Sequence, residues 1–180
     1  LRYLKSSPGK GIMFTKIRNM EIEGYNDADL VGSINDRRST PGYFTFVDGN
    51  LVTWRSNKQE VVARSSAEAE YRGMAKGVCE LLWIKSLMQD LHIKQTNPMR
   101  LYCDNKSACD IAHNPVQHDR TKHVEVDRHF IKEKLETKII EVPHVHSQDQ
   151  LTDVLTKPVS SRAFNSCLVK LGISDIYAPT

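Results

Sequence analysis

The sequence of 180 residues predicts an α/β fold in which a mixed, five-stranded sheet carries helices on both faces. Three short strand patterns come first, one long helical pattern follows them, and two further strands then alternate with helices. An antiparallel start joined to later strand–helix units is typical of a mixed sheet. With 39% hydrophobic residues the chain can bury a core of its own, so we expect one main domain.

The composition excludes several classes of protein. No apolar run approaches the roughly 20 residues of a membrane span, and the N-terminus shows no signal-peptide pattern. The four cysteines form no CxxC pair, which indicates reduced thiols in a non-secreted protein. The net charge of +3 permits nucleic-acid binding without arguing for it.

The expected domain covers residues 16–172. Residues 1–15 are basic and contain Pro8-Gly9, which indicates a linker from a preceding module, and residues 173–180 are expected to form a C-terminal tail. The missing initiator Met favours a piece of a longer chain.

Three antiparallel strands are predicted before the long helix. The third is predicted in two pieces because polar residues interrupt it. In chain order, the predicted elements are the strand Glu21–Asp27, the polar turn Arg37–Gly42, the strand Tyr43–Val47, the hairpin turn Asp48–Asn50, and the strand pieces Leu51–Trp54 and Glu60–Ala63.

The long helix is predicted from Ser65 to Leu91 because its apolar residues recur at three- and four-residue steps. Ser65 and Glu68 have the spacing of a capping box at its start. Glu70 lies roughly 60° from the centre of the apolar face, at the edge of the core, where an unpaired carboxylate is costly. It is either a snorkelling or salt-bridged surface residue or a carboxylate held for chemistry.

The elements after the long helix alternate strands with helices. The strand at 99–103 is followed directly by Asp104-Asn105, and Ser147 with Gln150 resembles a second capping box. The predicted elements are the strand Met99–Cys103, the helix Lys106–Ala112, the helix Val124–Glu136, the strand Ile139–Pro143, a helix opening at Ser147, and the helix Phe164–Leu171.

Four acidic residues stand on four different elements near their ends: Asp27, Glu70, Asp104 and Asp153. Each aspartate also has a structural explanation, as a turn former, a helix cap or a partner of a helix dipole. If the four carboxylates converge, they can hold two Mg²⁺ ions, which prefer oxygen ligands and neutralise crowded negative charge. Two such ions about 4 Å apart promote phosphodiester hydrolysis.

The chain resembles the ribonuclease H domain of copia-type retrotransposon polyproteins, particularly those of plants. The resemblance covers nearly the whole chain in order, and it is carried by EGYNDADLVGS, DRRSTPGYFTFVDGNLVTWRSNKQEVVARSSAEAEYRGMA, LYCDNKSA, HNPVQHDRTKHVEVDRHFIKEK and LTDVLTKP. It implies a ribonuclease H-like fold and a Mg²⁺-dependent endonuclease, with Mn²⁺ as an alternative cofactor. The implied reaction cleaves the RNA strand of RNA–DNA hybrids and leaves 5′-phosphate and 3′-hydroxyl ends.

The resemblance also implies the catalytic and metal-binding residues. The first Asp of the DAD motif is Asp27, the Glu before Tyr in AEAEY is Glu70, the Asp of YCDN is Asp104, and the Asp of TDVLTK is Asp153. Three positions depart from the family pattern: Leu30 stands for Trp, Thr152 for Ala, and VHSQDQ for a loop with a Pro-Thr pair.

The loop VHSQDQ places two histidines, His144 and His146, shortly before Asp153. Cellular ribonucleases H use a loop His in this region, so the hypothesis is that His146 assists turnover. A solvent-exposed loop histidine without a role is the alternative.

Residues that hold the substrate are harder to identify. The candidates are Asn105, which follows Asp104; Arg64, Ser65 and Ser66, at the N-terminus of the glutamate-bearing helix; and Arg55 and Lys58, which form a basic-aromatic stretch with the neighbouring Trp54. Each basic residue could equally be solvated surface. His123, Asp127 and His129 receive no role, because their spacing matches no common zinc pattern.

The expected partners are an RNA–DNA hybrid and the reverse transcriptase domain of the same polyprotein. No association with a membrane is expected. The expected location is the cytoplasm, in a virus-like particle during reverse transcription. Two alternatives stay open: a catalytically silent or domesticated module that binds nucleic acid, and an enzyme of the same fold that acts on DNA.

Overall fold

A five-stranded mixed sheet forms the centre of the protein. The computed structural model describes residues 9–16, 19–29, 38–60, 62–63, 65–113 and 122–177, with only the backbone of 122–124. The strands are β1 (Lys10–Ile12), β2 (Ile22–Asp29), β3 (Thr40–Val47), β4 (Asn50–Ser56), β5 (Met99–Cys103), β6 (Ile140–Glu141) and β7 (Ile173–Asp175). The order in the sheet is β4-β3-β2-β5-β6, and β1 pairs separately with β7.

The pairing directions confirm the predicted mixed sheet. β3 pairs antiparallel with both β2 and β4, whereas β5 runs parallel to β2 and β6 runs parallel to β5. The hairpin between β3 and β4 closes at Asp48 and Gly49, whose φ angles of 50° and 76° are those of a tight primed turn. The predicted hairpin is therefore confirmed.

Helices cover both faces of the sheet. They are α1 (Ser66–Asp90), α2 (Lys106–His113), α3 (Lys122–Glu136), α4 (Asp153–Thr156) and α5 (Ser161–Lys170), with a 3₁₀ turn at Ser147–Asp149. One core joins α1, α2 and α3 to the sheet and includes Tyr71, Leu81, Leu101 and Ile131. The other core includes Phe44, Phe46, Leu51, Leu151, Cys167 and Leu171. In the described part of the chain, no helix has the length and apolar character to span a membrane.

The long helix α1 follows its predicted pattern. The Ser65 hydroxyl accepts a hydrogen bond from the Glu68 backbone N–H at 3.1 Å, as the N-cap of the predicted capping box requires. The Glu68 carboxylate pairs one turn later with Arg72 at 2.8 Å. The predicted apolar face is buried, and it includes Tyr71, Met74, Val78, Leu81 and Met88.

Strands β2 and β3 extend further than predicted. Asp27 lies inside β2, which ends at Asp29, and residues Thr40–Gly42 belong to β3 instead of a polar turn. A Cβ on Gly42 would lie 2.9 Å from the Cβ of Leu155, so the glycine allows α4 to pack directly on the strand. Residues 40–42 have a composition typical of turns, but in this structure they form part of a strand on which a helix packs closely.

Strand β4 is continuous where the prediction divided it. It runs through Arg55 and Ser56, which pair with Tyr43 and Gly42. Residues 60, 62 and 63 do not continue the strand. Because β4 is an edge strand, its polar side chains reach water while the backbone stays paired to β3.

The segment after β6 also differs from the prediction. The strand expected over 139–143 is reduced to β6, and α5 begins at Ser161, capped by the Ser160 hydroxyl. The capping box predicted at Ser147 and Gln150 is wrong, because Ser147 begins a 3₁₀ turn and Gln150 is buried. The Gln150 amide is used in the core instead, where its N–H donates to the Asn26 carbonyl at 2.9 Å.

The residues near the two ends of the described chain pair with each other. In the two-stranded sheet of β1 and β7, Lys10 lies opposite Asp175 and Ile12 lies opposite Ile173. β1 belongs to the segment predicted as a linker, and β7 to the segment predicted as a tail. The domain boundaries at residues 16 and 172 stay a prediction.

Candidate metal centre

Three aspartates meet at one end of the sheet. Asn26 in β2 lies opposite Cys103 in the parallel strand β5, so the next residues, Asp27 and Asp104, emerge side by side. Asp153 is the first residue of α4. One oxygen from each of these carboxylates lies within 4.8 Å of the others. The structure thus brings together three of the four predicted carboxylates in one cluster.

Glu70 is the fourth predicted carboxylate and adjoins this cluster. It lies in the second turn of α1, its residue is only 5% exposed, and its carboxyl group is hydrogen-bonded to Asp27. Burial, reinforced by the negative charge of Asp27, raises the pKa of Glu70 to about 10. Near neutral pH and without metal, Glu70 is therefore protonated and donates its proton to a hydrogen bond with Asp27.

Two consecutive residues at the end of α4 hold the aspartates. The Thr156 hydroxyl donates a hydrogen bond to Asp27 Oδ2. The Lys157 ammonium lies 2.8 Å from Asp153 Oδ1 and 4.0 Å from Asp27 Oδ2. Burial raises the pKa of Asp153, although the hydrogen bond from Lys157 acts in the opposite direction. The net charge of the cluster is thus partly compensated within the protein.

A buried hydrogen-bond network supports the cluster from behind. Gln150 donates to the Asn26 carbonyl at 2.9 Å, and its own side-chain oxygen accepts from the Thr152 hydroxyl at 2.7 Å. Asn26 Nδ2 in turn lies 3.4 Å from Glu70 Oε2. Because Asn26 precedes Asp27 and Thr152 precedes Asp153, the network ties two of the aspartates to each other through their neighbours.

The side chains present fit a hard divalent cation. The cluster offers carboxylate oxygens, which Mg²⁺ prefers, and it concentrates their charge beside Asp27, whose side chain is only 5% exposed. Such crowding is costly unless a cation compensates it. Asp27, Asp104 and Asp153 would hold the ion, and Glu70 would join them after losing its proton.

Of the two loop histidines, His144 contacts the backbone of the cluster. Its Nε2 lies 3.1 Å from the carbonyl oxygen of Asp104. His146 is exposed, and its ring centre is 6.0 Å from that of His144 in an edge-on arrangement. The assisting role predicted for His146 stays a prediction.

The structure gives two of the predicted substrate-binding residues a capping role. The Asn105 side chain accepts a hydrogen bond from the Ala108 backbone N–H at 3.0 Å, so it caps α2. Ser65 caps α1, and Ser66 is exposed in its first turn. Arg64 lies outside the described residues. Contacts of these residues with a substrate stay predictions.

Arg55 and Lys58 line a cleft of about 870 Å³ between the β3–β4 hairpin, α1 and α3. Trp54 and Arg55 are neighbours on a strand, so their side chains point to opposite faces of the sheet. The predicted basic-aromatic stretch is therefore divided between two faces. Asp127 lines the same cleft and His129 is exposed, while the side chain of His123 lies outside the described residues.

Sequence reasoning missed three residues that contact or support the cluster: Gln150, Thr156 and Lys157. The four-residue spacing from Asp153 to Lys157 is a recognisable signal for an ion pair on one helical turn. No comparable signal exists for Gln150, because its partner Asn26 is 124 residues away.

Three plant proteins are similar to almost the whole chain. The chain is 42% identical over 176 residues, 98% of its length, to the retrovirus-related Pol polyproteins from transposons RE1 and RE2 of Arabidopsis thaliana. It is 34% identical over 173 residues to the corresponding polyprotein from transposon TNT 1-94 of Nicotiana tabacum. The chain spans only 12% of each Arabidopsis protein and 13% of the Nicotiana protein. No protein-family model matches it.

Solved structures of ribonucleases H share the fold. RNase H1 from the halophilic archaeon Halobacterium salinarum NRC-1 gives a TM-score of 0.52 at 14% identity, covering 81% of this chain and 98% of that one. LC11-RNase H1, crystallised in complex with RNA/DNA hybrid, gives a TM-score of 0.57 at 14% identity. The match covers 76% of this chain and 94% of that one. At such low identity the likeness establishes the fold alone.

Proposed function

We propose that this chain is a ribonuclease H domain of the kind found in the retrovirus-related Pol polyproteins of plant transposons, and that it acts as a metal-dependent endoribonuclease. Its substrate would be the RNA strand of an RNA–DNA hybrid. One observation carries the proposal: carboxylates from β2, from the residue after β5 and from the start of α4 come within 4.8 Å of one another, and Glu70 of α1 adjoins them.

The proposed chemistry needs a divalent cation. Bound Mg²⁺ would supply charge stabilisation and an activated water for in-line attack on the scissile phosphodiester. The chain's own residues would orient the ions: Asp27 and Asp104 from neighbouring strands, and Asp153 from the start of α4. Glu70 would have to release its proton before it joins as a ligand, since its carboxyl group is protonated in the metal-free protein.

The proposed substrate is supported by a structural neighbour of the same fold, LC11-RNase H1, which was crystallised with an RNA/DNA hybrid. RNA could be selected through its 2′-hydroxyl groups in the minor groove of the hybrid. The formal net charge of +3 gives only a weak electrostatic hold on nucleic acid. We therefore propose that the reverse transcriptase of the same polyprotein helps to bind the hybrid, within a cytoplasmic virus-like particle.

The direct test is cleavage of a labelled RNA–DNA hybrid in Mg²⁺, with the wild type beside Asp104→Asn. The wild type should cut the RNA strand, and single-stranded RNA and duplex DNA of the same sequence should stay intact. Asp104→Asn should lose activity by about a hundredfold or more, because it removes a charged metal ligand. Circular dichroism of both proteins checks that the variant is folded.

Three results would overturn the proposal. Equal cleavage by the wild type and Asp104→Asn would rule out this cluster as the active site. Binding of hybrid without cleavage, in Mg²⁺ and in Mn²⁺, would favour a catalytically silent module, and cleavage of DNA in place of RNA would favour a nuclease of different specificity.

A further inference from the structure

Lys157 occupies an unusual position for a surface cation. Its ammonium group lies 2.8 Å from Asp153 Oδ1 and 4.0 Å from Asp27 Oδ2, between two residues of the carboxylate cluster. Its side chain is 38% exposed, so it reaches the cluster from the solvent side. At these distances the ammonium group contacts two of the three carboxylate groups that a divalent cation would need.

The local backbone holds Lys157 in this position. The Lys157 N–H donates to the Asp153 carbonyl at 3.0 Å and closes the single turn of α4. The backbone of Lys157 is extended, with φ −141° and ψ 158°, the region that a following proline favours. Pro158 therefore helps to end the helix here, and the four-residue spacing aligns the lysine with Asp153.

The side chain can leave the cluster at low cost. Lysine is a flexible chain with a single strongly hydrated charge, so a half-exposed ammonium group regains its hydration when it swings into water. Thr156, one residue earlier, holds Asp27 through a neutral hydroxyl group. Asp27 therefore keeps a hydrogen-bond partner when the lysine moves away.

We propose that Lys157 is a built-in counter-cation of this centre, which neutralises Asp27 and Asp153 in the metal-free protein and is displaced when a metal ion binds. The inference rests on the metal-binding role proposed above. Two cations cannot share the same carboxylate oxygens closely, because their charges repel each other. Lys157 thereby stabilises the metal-free fold and lowers the affinity for metal.

The test measures metal binding without nucleic acid. Metal-stripped wild type, Lys157→Met and Lys157→Arg are titrated with Mn²⁺ by calorimetry, and their melting temperatures are recorded with and without Mg²⁺. Lys94→Met is the matched control, since it removes the same charge from an exposed residue on the loop after α1.

Lys157→Met should bind Mn²⁺ about tenfold more tightly than the wild type. A positive charge this close to the carboxylates changes the binding of another cation by roughly a factor of ten or more. Its melting temperature should be lower without metal and should rise more when Mg²⁺ is added. Lys157→Arg, which keeps the charge, and Lys94→Met should both stay close to the wild type.

Unchanged or weaker Mn²⁺ binding by a folded Lys157→Met would overturn the inference, whereas absence of binding by the wild type would instead contradict the proposed metal site. If the variant does not fold, NMR of the lysine ammonium groups in the wild type decides the matter. Metal should shift the Lys157 signal and leave the Lys94 signal in place. No metal-dependent change at Lys157 would equally overturn the inference.

Discussion

Glu70 is protonated because helix α1 places its side chain in a buried position next to Asp27. The side chain is buried between α1 and β2 and faces another carboxylate, so its charged form has neither water nor a cation. The same group would become a ligand once a metal supplies positive charge. Its burial is thus unfavourable for the metal-free fold and useful for a metal-bound one.

This burial makes the stability of the metal-free protein depend on pH in a defined direction. Burial and the neighbouring charge of Asp27 raise the pKa of Glu70 to about 10 from its ordinary value of 4.5. Below pH 4.5 both the folded and the unfolded chain carry the proton, and between 4.5 and 10 only the folded chain keeps it. The contribution of Glu70 to stability is therefore fully present at low pH and is lost as the pH rises.

Glu70→Gln should remove this dependence, because the amide does not titrate. In EDTA, the variant should gain stability over the wild type as the pH rises from 4.5, by roughly 3 kcal/mol at pH 7. Urea unfolding at several pH values measures the difference. Glu141→Gln, at an exposed glutamate, is the control and should follow the wild type. A Glu70→Gln advantage that is constant between pH 5 and 8 would contradict the assignment.

At the scale of elements, the centre depends on how the 147–153 segment is fixed to β2. Just before Asp153 the segment contains Thr152, which is fully buried and donates its hydroxyl hydrogen to the side-chain oxygen of Gln150. The Gln150 amide in turn donates to the backbone carbonyl of Asn26. Gln150 thereby joins the residue before Asp153 to the residue before Asp27. It therefore sets where α4 begins relative to the sheet.

Thr152→Val keeps the shape of the side chain and removes the hydroxyl group, so Gln150 loses a partner. The variant should lose about 1 kcal/mol of stability, and its Mn²⁺ affinity should fall because Asp153 is less well positioned. Thr152→Ser, which keeps the hydroxyl group, should restore the metal affinity. Calorimetric titration and urea unfolding give the two quantities. Equal Mn²⁺ affinities of the Thr152→Val and Thr152→Ser variants would mean that Thr152 contributes only to packing.

At the scale of the whole molecule, one sheet carries two hydrophobic cores on opposite faces. The carboxylate cluster lies at the end of that sheet, and its residues come from the strand ends and from helices of both faces. Because both cores pack on this sheet, a loss of packing in either core should also disturb the carboxylate cluster. We expect the described domain to unfold as one cooperative unit.

Leu81→Ala tests this expectation in the larger core. Leu81 is fully buried on α1, so the cavity should lower the free energy of unfolding by about 2–5 kcal/mol. Leu87→Ala, on the exposed face of the same helix, should change it by about 0.5 kcal/mol or less. Circular dichroism and tryptophan fluorescence should give coincident transitions. Separate transitions for the two probes would show that the cores unfold independently.

Local patterns in the sequence were sufficient for the strongest elements. The spacing of apolar residues predicted α1 and placed Glu70 at the edge of the core, and Asp48-Gly49 predicted the hairpin. The prediction failed where tertiary packing overrode the local conformational preferences of the residues. Gly42 has the composition of a turn, yet it lies in β3 because α4 packs against it.

By itself, the sequence determined the α/β class, the order of the principal strands and helices, and four carboxylates worth bringing together, since each depends on periodicity or on a motif a few residues long. Only the tertiary structure decided that Gln150 contacts Asn26 and that the Lys157 ammonium group lies beside Asp27 and Asp153. Hydrogen bonds and ion pairs act over a few ångströms, and which distant residues come that close is settled only when the chain has packed.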